Sequence, residues 1–127
     1  MQAKINCAEL GVLDGPLLLF GGPYSNLQAV EALAAFAAAR DVPGGQMICT
    51  GDIVAYCGAP RESVAAIRAL GCAVVAGNCE LQLASGAEDC GCGFAPGSSC
   101  DMLSGAWYAH AASQLDAEAK TWMGSLP

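Results

Sequence analysis

One unit repeats three times between residues 17 and 84: a short apolar strand, a loop with glycine and polar residues, and a helix. The strands are predicted at residues 17–20, 46–50 and 72–76. Apolar strands that alternate with helices are typical of a parallel sheet, because parallel strands need crossover connections. The repeat therefore predicts an α/β fold, with three βα units forming a parallel sheet flanked by helices. We expect helices to cover both faces of this sheet.

The helices of the repeat are marked by apolar spacing and by end signals. The first is predicted over residues 26–40, where apolar residues recur three and four apart, and Ser25 is expected to cap it. The second is predicted to begin at Pro60, since proline is tolerated in a first turn, and to end before Gly71. The third is expected to begin at Leu81.

Glycine, proline and cysteine predominate between residues 85 and 100. A Cys/Gly-rich loop is predicted over 85–100, followed by C-terminal helices capped by Asp101 and Asp116. The 127 residues are expected to form a single domain, since that length is typical of one.

Composition and charge exclude several classes of protein. Hydrophobic residues make up 54% and charged residues 13%, which excludes a disordered acidic tail. No apolar run approaches the roughly 18–20 residues that span a bilayer, and no secretory signal pattern is visible, so a cytoplasmic protein without a membrane partner is expected. The net charge is −7, and no basic residue lies between Arg68 and Lys120. Nucleic acid is therefore excluded as a partner, because binding it requires a basic face.

Two polar residues follow the second and third strands directly after a glycine. These are Asp52, after Gly51, and Asn78, after Gly77. Ligands of open α/β sheets bind outside the carboxyl ends of the strands, where both residues are expected. A carboxylate and an amide oxygen so placed could share a divalent cation. The alternative is that both residues cap helices or brace loops.

The stretch Gly51-Asp-Ile-Val-Ala-Tyr56, together with Gly77-Asn-Cys-Glu80, resembles the calcineurin-like metallophosphoesterases. That family carries Asp-x-His after its first strand, Gly-Asp after its second, and Gly-Asn-His-Asp/Glu after its third. The resemblance extends over roughly residues 17–80. It implies the first half of the family's α/β sandwich, metal-dependent hydrolysis of phosphate esters, and a divalent metal such as zinc, manganese or iron.

The resemblance carries some family positions over and replaces others. Asp52 takes the place of the carboxylate that bridges two metals, and Asn78 that of a ligand to one of them. Cys79 stands where the family has the histidine that assists the leaving group, which makes it a candidate catalytic residue or metal ligand. Gly22 and Tyr24 stand where the first-motif aspartate and histidine would be.

The loop after the first strand is also a candidate phosphate site. Backbone amides around Gly22 and Tyr24, and those at the helix that begins near Asn26, could bind the anion. In this interpretation the chain is a non-catalytic module that binds a metal or a phosphorylated small molecule.

The family takes further histidine ligands from a second half of the domain. The single histidine here, His110, falls in a helical pattern and is interpreted as a partly buried structural residue away from the strand ends. The resemblance therefore implies an incomplete metal site and an apolar sheet face that needs a cover. That cover could be a partner chain in a homo-oligomer, the Cys-rich loop with the last helices, or a C-terminal half.

Eight cysteines are present. Cys79, Cys90, Cys92 and Cys100 could form a tetrahedral zinc site, which needs four sulfur or nitrogen ligands, and such a site would make the chain a zinc-structural protein. The alternative is a set of reduced thiols or one transient disulfide. Cys49 lies inside a predicted strand and is expected in the core.

Overall fold

The sheet consists of three short parallel strands. In the computed structural model, which describes residues 5–127, these are β1 (Leu18–Phe20), β2 (Met47–Cys49) and β3 (Ala73–Val74), in the spatial order β1-β2-β3. Their register aligns Leu19, Ile48 and Ala73 in one row, and Phe20, Cys49 and Val74 in the next. The predicted parallel α/β sheet is confirmed.

Among the described residues, five α-helices follow or connect these strands: α1 (Leu27–Ala38), α2 (Pro60–Leu70), α3 (Asn78–Ser85), α4 (Ser99–Gln114) and α5 (Ala117–Gly124). Residues 86–98 connect α3 to α4, so the Cys/Gly-rich loop is shorter than expected and Cys100 lies in α4. Within residues 5–127, no helix has the length and apolar character needed to cross a bilayer.

Several helix ends follow the sequence signals. Pro60 is the first residue of α2, and Gly71 ends that helix in the left-handed conformation, with φ 69°. The Asp116 side chain accepts a hydrogen bond from the N–H of Ala119 and caps α5, as predicted.

Two predicted caps were wrong. Asn26, not Ser25, caps α1, and its Oδ1 accepts a hydrogen bond from the N–H of Ala29 at 3.1 Å. Ser98 caps α4 in place of Asp101. Ser25 cannot cap α1 because it is buried and its Oγ accepts a hydrogen bond from Ala55 in the loop after β2.

The helices pack on one face of the sheet, whereas cover on both faces was expected. Buried residues of all five helices form one hydrophobic cluster with Cys49 and Val74. On the opposite face, Leu19 is 61% exposed and Val75 is 45% exposed. The reason is topological: the strand order advances in one direction, and right-handed crossovers then place successive helices on the same side.

The open face is apolar. A cavity of about 510 Å³ lies against it, lined by Ile48, Val75, Leu10 and Leu126 among others. Residues of the 86–98 segment, α4 and α5 belong to the cluster on the other face, so they do not provide the cover that was considered for them.

Candidate functional site

The loops after β1 and β2 run side by side at the carboxyl edge of the sheet. Three backbone hydrogen bonds of 2.7–3.1 Å join them, donated by Gly22 to Gly51, by Tyr24 to Asp52 and by Ser25 to Ile53. This pairing holds the backbone around Asp52 on both sides of its side chain. The sequence pattern placed both loops at this edge, but it gave no sign that they would pair.

Glu80 organises the loop that carries Asp52. Its side chain is fully buried, and it accepts hydrogen bonds from the backbone N–H groups of Asp52 (2.9 Å), Ile53 (2.5 Å) and Gly77 (2.8 Å). Burial raises the pKa of the Glu80 carboxyl, and the N–H groups of Ile53 and Asp52 act in the opposite direction. No role was predicted for Glu80 beyond its place in the Gly77-Asn-Cys-Glu80 motif, although a glutamate three residues after a helix-capping position is a capping-box signal.

Asp52 adopts a left-handed backbone conformation, with φ 53°. Its Oδ1 atom is buried and has no hydrogen-bond partner. This oxygen lies against Gly77, where an added Cβ would collide with it. Gly51 also approaches Gly77 closely, and a Cβ on Gly51 would collide with the Gly77 nitrogen. The two glycines thus allow the loops after β2 and β3 to touch, and they leave one carboxylate oxygen unpaired between them.

Asn78 is the first residue of α3 and is exposed. Its Nδ2 donates to the carbonyl oxygen of Cys90 at 3.1 Å and contacts Sγ of Cys92 at 3.7 Å. Because a carbonyl can only accept, the nitrogen end of the amide faces Cys90 and Oδ1 faces away from it. Asn78 follows the glycine that contacts Asp52, so the structure brings both predicted residues to the same edge.

Cys79 follows Asn78 in the first turn of α3 and is buried, with 4% of its surface exposed. Its pKa is raised to about 12, first by burial and then by the negative charges of Asp52 and Glu80. A nearby metal or a helix N-terminus would act in the opposite direction. The thiol is therefore protonated at neutral pH, and in this state it is a poor nucleophile and no thiolate ligand.

The fold of this chain has a known structural counterpart. The chain is similar to the crystal structure of a metallophosphoesterase from Sphaerobacter thermophilus, with a TM-score of 0.62 and 26% sequence identity over 89% of this chain. The chain has a metallophosphoesterase fold. It spans 42% of the length of that structure, which agrees with a resemblance to the first half of such a domain. No protein-family model and no curated protein matches the sequence.

Gly22 and Tyr24, at the positions of the family's first motif, leave no room for a larger side chain at residue 22. Gly22 has φ 61°, and a Cβ there would collide with the ring of Tyr24. The Tyr24 ring packs in turn on Tyr56, with 5.4 Å between ring centroids. The N–H groups of Gly22 and Tyr24 are both donated to the loop after β2, and the Asn26 side chain caps α1. The N–H groups and the Asn26 side chain that were predicted to bind a phosphate are therefore already hydrogen-bonded within the protein.

The four cysteines considered for zinc do not come together. Cys90 and Cys92 form a disulfide, Cys79 is buried, and Cys100 is exposed on α4. Over residues 5–127, no three His, Cys, Asp or Glu side chains are grouped so that they could hold a metal ion. A disulfide has no thiolate to offer, so the zinc site is not formed in this state, and the alternative of one disulfide is observed.

His110 is exposed, so the expectation that it is partly buried was wrong. Its Nε2 lies 3.1 Å from the carbonyl oxygen of Gly58, in the loop that begins at Asp52. The buried stripe of α4 passes through Trp107 and Ala111, and His110 projects beside that stripe. Cys49, by contrast, is fully buried in the core as predicted.

Proposed function

We propose that this chain contributes Asp52 to a divalent-metal centre that binds and hydrolyses phosphate esters. The observation that supports the proposal is the unpaired Oδ1 of Asp52, held at the strand ends of a metallophosphoesterase fold. A buried carboxylate oxygen without a donor is unfavourable, and a cation at this position would satisfy it.

The residues present fit part of such a centre. Carboxylate and amide oxygens suit divalent cations, so Asp52 and the Oδ1 of Asn78 are suitable ligands for manganese, iron or zinc. A complete zinc site needs four ligands, and the part of the chain described here supplies no group of three. The remaining ligands would have to come from outside these residues, either from a partner chain or from a further part of the same protein.

The chain's own residues have defined roles in this proposal. Glu80 fixes the backbone on both sides of Asp52 through the N–H groups of Asp52 and Ile53, and its third hydrogen bond joins this loop to Gly77. Cys79 keeps its proton, so it is a weaker proton donor than the histidine of the family motif. A bound divalent metal would polarise the phosphate oxygens and activate water. The substrate class is a phosphorylated small molecule.

Metal binding by the full chain tests this proposal. Manganese binding is measured by electron paramagnetic resonance for the wild type, for Asp52→Asn and for Glu31→Gln, which alters an exposed acid on α1. We expect weak binding by the wild type, a loss of about tenfold or more in affinity for Asp52→Asn, and no change for Glu31→Gln. Equal binding by all three proteins would refute the proposal.

One observation favours binding without catalysis as a second candidate function. The ring of Tyr24 fills the space that a side chain at Gly22 would need, so the first-motif ligands are lost together. We therefore expect little or no hydrolysis of a generic phosphodiester such as bis(p-nitrophenyl) phosphate, even with manganese. Rapid manganese-dependent turnover that Asp52→Ala abolishes would exclude this second candidate and support the enzyme.

A further inference from the structure

The Cys90–Cys92 disulfide spans a tight turn at Gly91. The two cysteines are separated by one residue, Gly91, which has φ 67°. Asp89 Oδ1 accepts a hydrogen bond from the N–H of Gly91 at 2.8 Å, which stabilises the turn. Because glycine reaches this conformation without strain, the two sulfur atoms can meet.

This disulfide contributes little to the stability of the folded protein. It closes a loop with a single intervening residue, so it removes little conformational freedom from the unfolded chain. The segment has other anchors: Cys90 is 4% exposed in the core, and the Tyr108 hydroxyl donates to the carbonyl oxygen of Ala87 at 2.7 Å. Neither anchor requires the sulfur–sulfur bond.

The bond also lies against the candidate site. The Asn78 amide contacts both half-cystines, through the Cys90 carbonyl and through Sγ of Cys92. Only Cys92 is partly exposed, and it lines a cavity of about 210 Å³ together with Asp89 and Asp101. A reductant can therefore reach the pair from one side, at Cys92, next to two carboxylates.

We propose that Cys90 and Cys92 form a reversible dithiol–disulfide site, beside Asn78, that is reduced by neutral or cationic thiols. A thiolate of an external dithiol attacks Sγ of Cys92, and the bond to Cys90 breaks. Cys90 leaves with the electron pair and takes up a proton. The second thiol of the reductant then displaces Cys92, which also takes up a proton. The pair gains two electrons and two protons, and the dithiol becomes a disulfide.

The two carboxylates give the site its preference among reductants. Asp89 and Asp101 repel an anionic thiol that approaches Cys92 and attract a cationic one. Salt screens this effect, because Asp89 is exposed and Asp101 is only half-buried. The exchange rate should therefore depend on the charge of the thiol at low ionic strength and lose that dependence at high ionic strength.

The test uses the full chain with Cys7→Ser, Cys57→Ser and Cys100→Ser, which removes the three exposed thiols outside the pair. A chelator is present throughout, so the result does not depend on the metal proposal. Reduction by dithiothreitol is followed by mass spectrometry of the alkylated peptide that contains Cys90 and Cys92. Rates are then compared for 2-aminoethanethiol, 2-mercaptoethanol and 2-mercaptoethanesulfonate, each corrected for its thiolate fraction.

We expect full reduction in the folded state, full reoxidation, and a rate roughly tenfold higher for the cationic than for the anionic thiol at low salt. Hydrogen exchange at Asn78 and across 86–98 should rise on reduction and fall on reoxidation. The double variant Asp89→Asn/Asp101→Asn keeps the acceptor oxygens for Gly91 and Gly97 and should lose the charge preference.

Three results would overturn the proposal. The first is that both cysteines alkylate without reduction, which means that the disulfide does not form. The second is that reduction occurs only after unfolding. The third is that the reduced protein binds one zinc ion per chain through Cys90 and Cys92 when the chelator is omitted, which would assign these cysteines to the zinc site instead.

Discussion

Glu80 accepts a hydrogen bond from the backbone N–H of Asp52 at 2.9 Å, although the two residues are 28 positions apart in the sequence. The same Oε2 atom accepts from Gly77 at 2.8 Å. One buried carboxylate therefore joins the loop after β2 to the start of α3. It holds the candidate ligand in place without touching its side chain.

Replacing Glu80 by glutamine should destabilise the protein by about 2–3 kcal/mol, because the amide turns an NH₂ group toward backbone donors. Urea unfolding of Glu80→Gln measures this, and Glu62→Gln, at an exposed glutamate of α2, is the control. A Glu80→Gln protein as stable as the control would show that these hydrogen bonds contribute nothing net.

The raised pKa of Cys79 predicts a loss of stability at alkaline pH. The thiol ionises near 9.0 in the unfolded chain and near 12 in the folded one, so its contribution is complete below pH 9 and is lost as pH rises toward 12. Between pH 7 and 10 the wild type should lose about 1.4 kcal/mol more than Cys79→Ala. Urea unfolding of both proteins at the two pH values measures the difference, and parallel curves would contradict the prediction.

Gly77→Ala should disrupt the site by steric collision. The added methyl group would meet Oδ1 of Asp52, and relief of that overlap should cost about 2–3 kcal/mol. Gly45→Ala is the matched control, because a Cβ there meets no atom within 4 Å. Thermal unfolding and manganese binding should both change in Gly77→Ala and stay unchanged in Gly45→Ala; equal behaviour of the two variants would contradict the close approach.

The effects of substituting Gly22 and Tyr24 on the free energy of unfolding should not be additive. An aspartate at residue 22 collides with the Tyr24 ring, so Gly22→Asp alone should destabilise the chain by about 1–3 kcal/mol. Adding Tyr24→His removes the ring from that space, so the double variant should be more stable than the sum of the single effects predicts. A double-mutant cycle of unfolding free energies measures the coupling, and strict additivity would show that the ring does not block this position.

Much of the fold and the positions of two candidate ligands could be predicted from the sequence, because the signals are local. Alternating apolar strands and helices predict the three βα units, and Pro60 and Gly71 delimit α2 through their own backbone preferences. A strand followed by Gly-Asp or Gly-Asn places Asp52 and Asn78 at the carboxyl edge, since parallel strands end together.

Only the tertiary structure decided which groups those residues meet. The handedness of the crossovers put α1 and α2 on one face, and α3, α4 and α5 pack on the same face, which no strand or helix pattern states. Long-range contacts made Glu80 the partner of Asp52 and raised the pKa of Cys79 through burial and two neighbouring charges. The sequence left a zinc site and a disulfide open for Cys90 and Cys92, and the structure has the disulfide, with Gly91 between them at φ 67°. Burial and long-range contact arise from how the whole chain packs, so a local pattern cannot encode them.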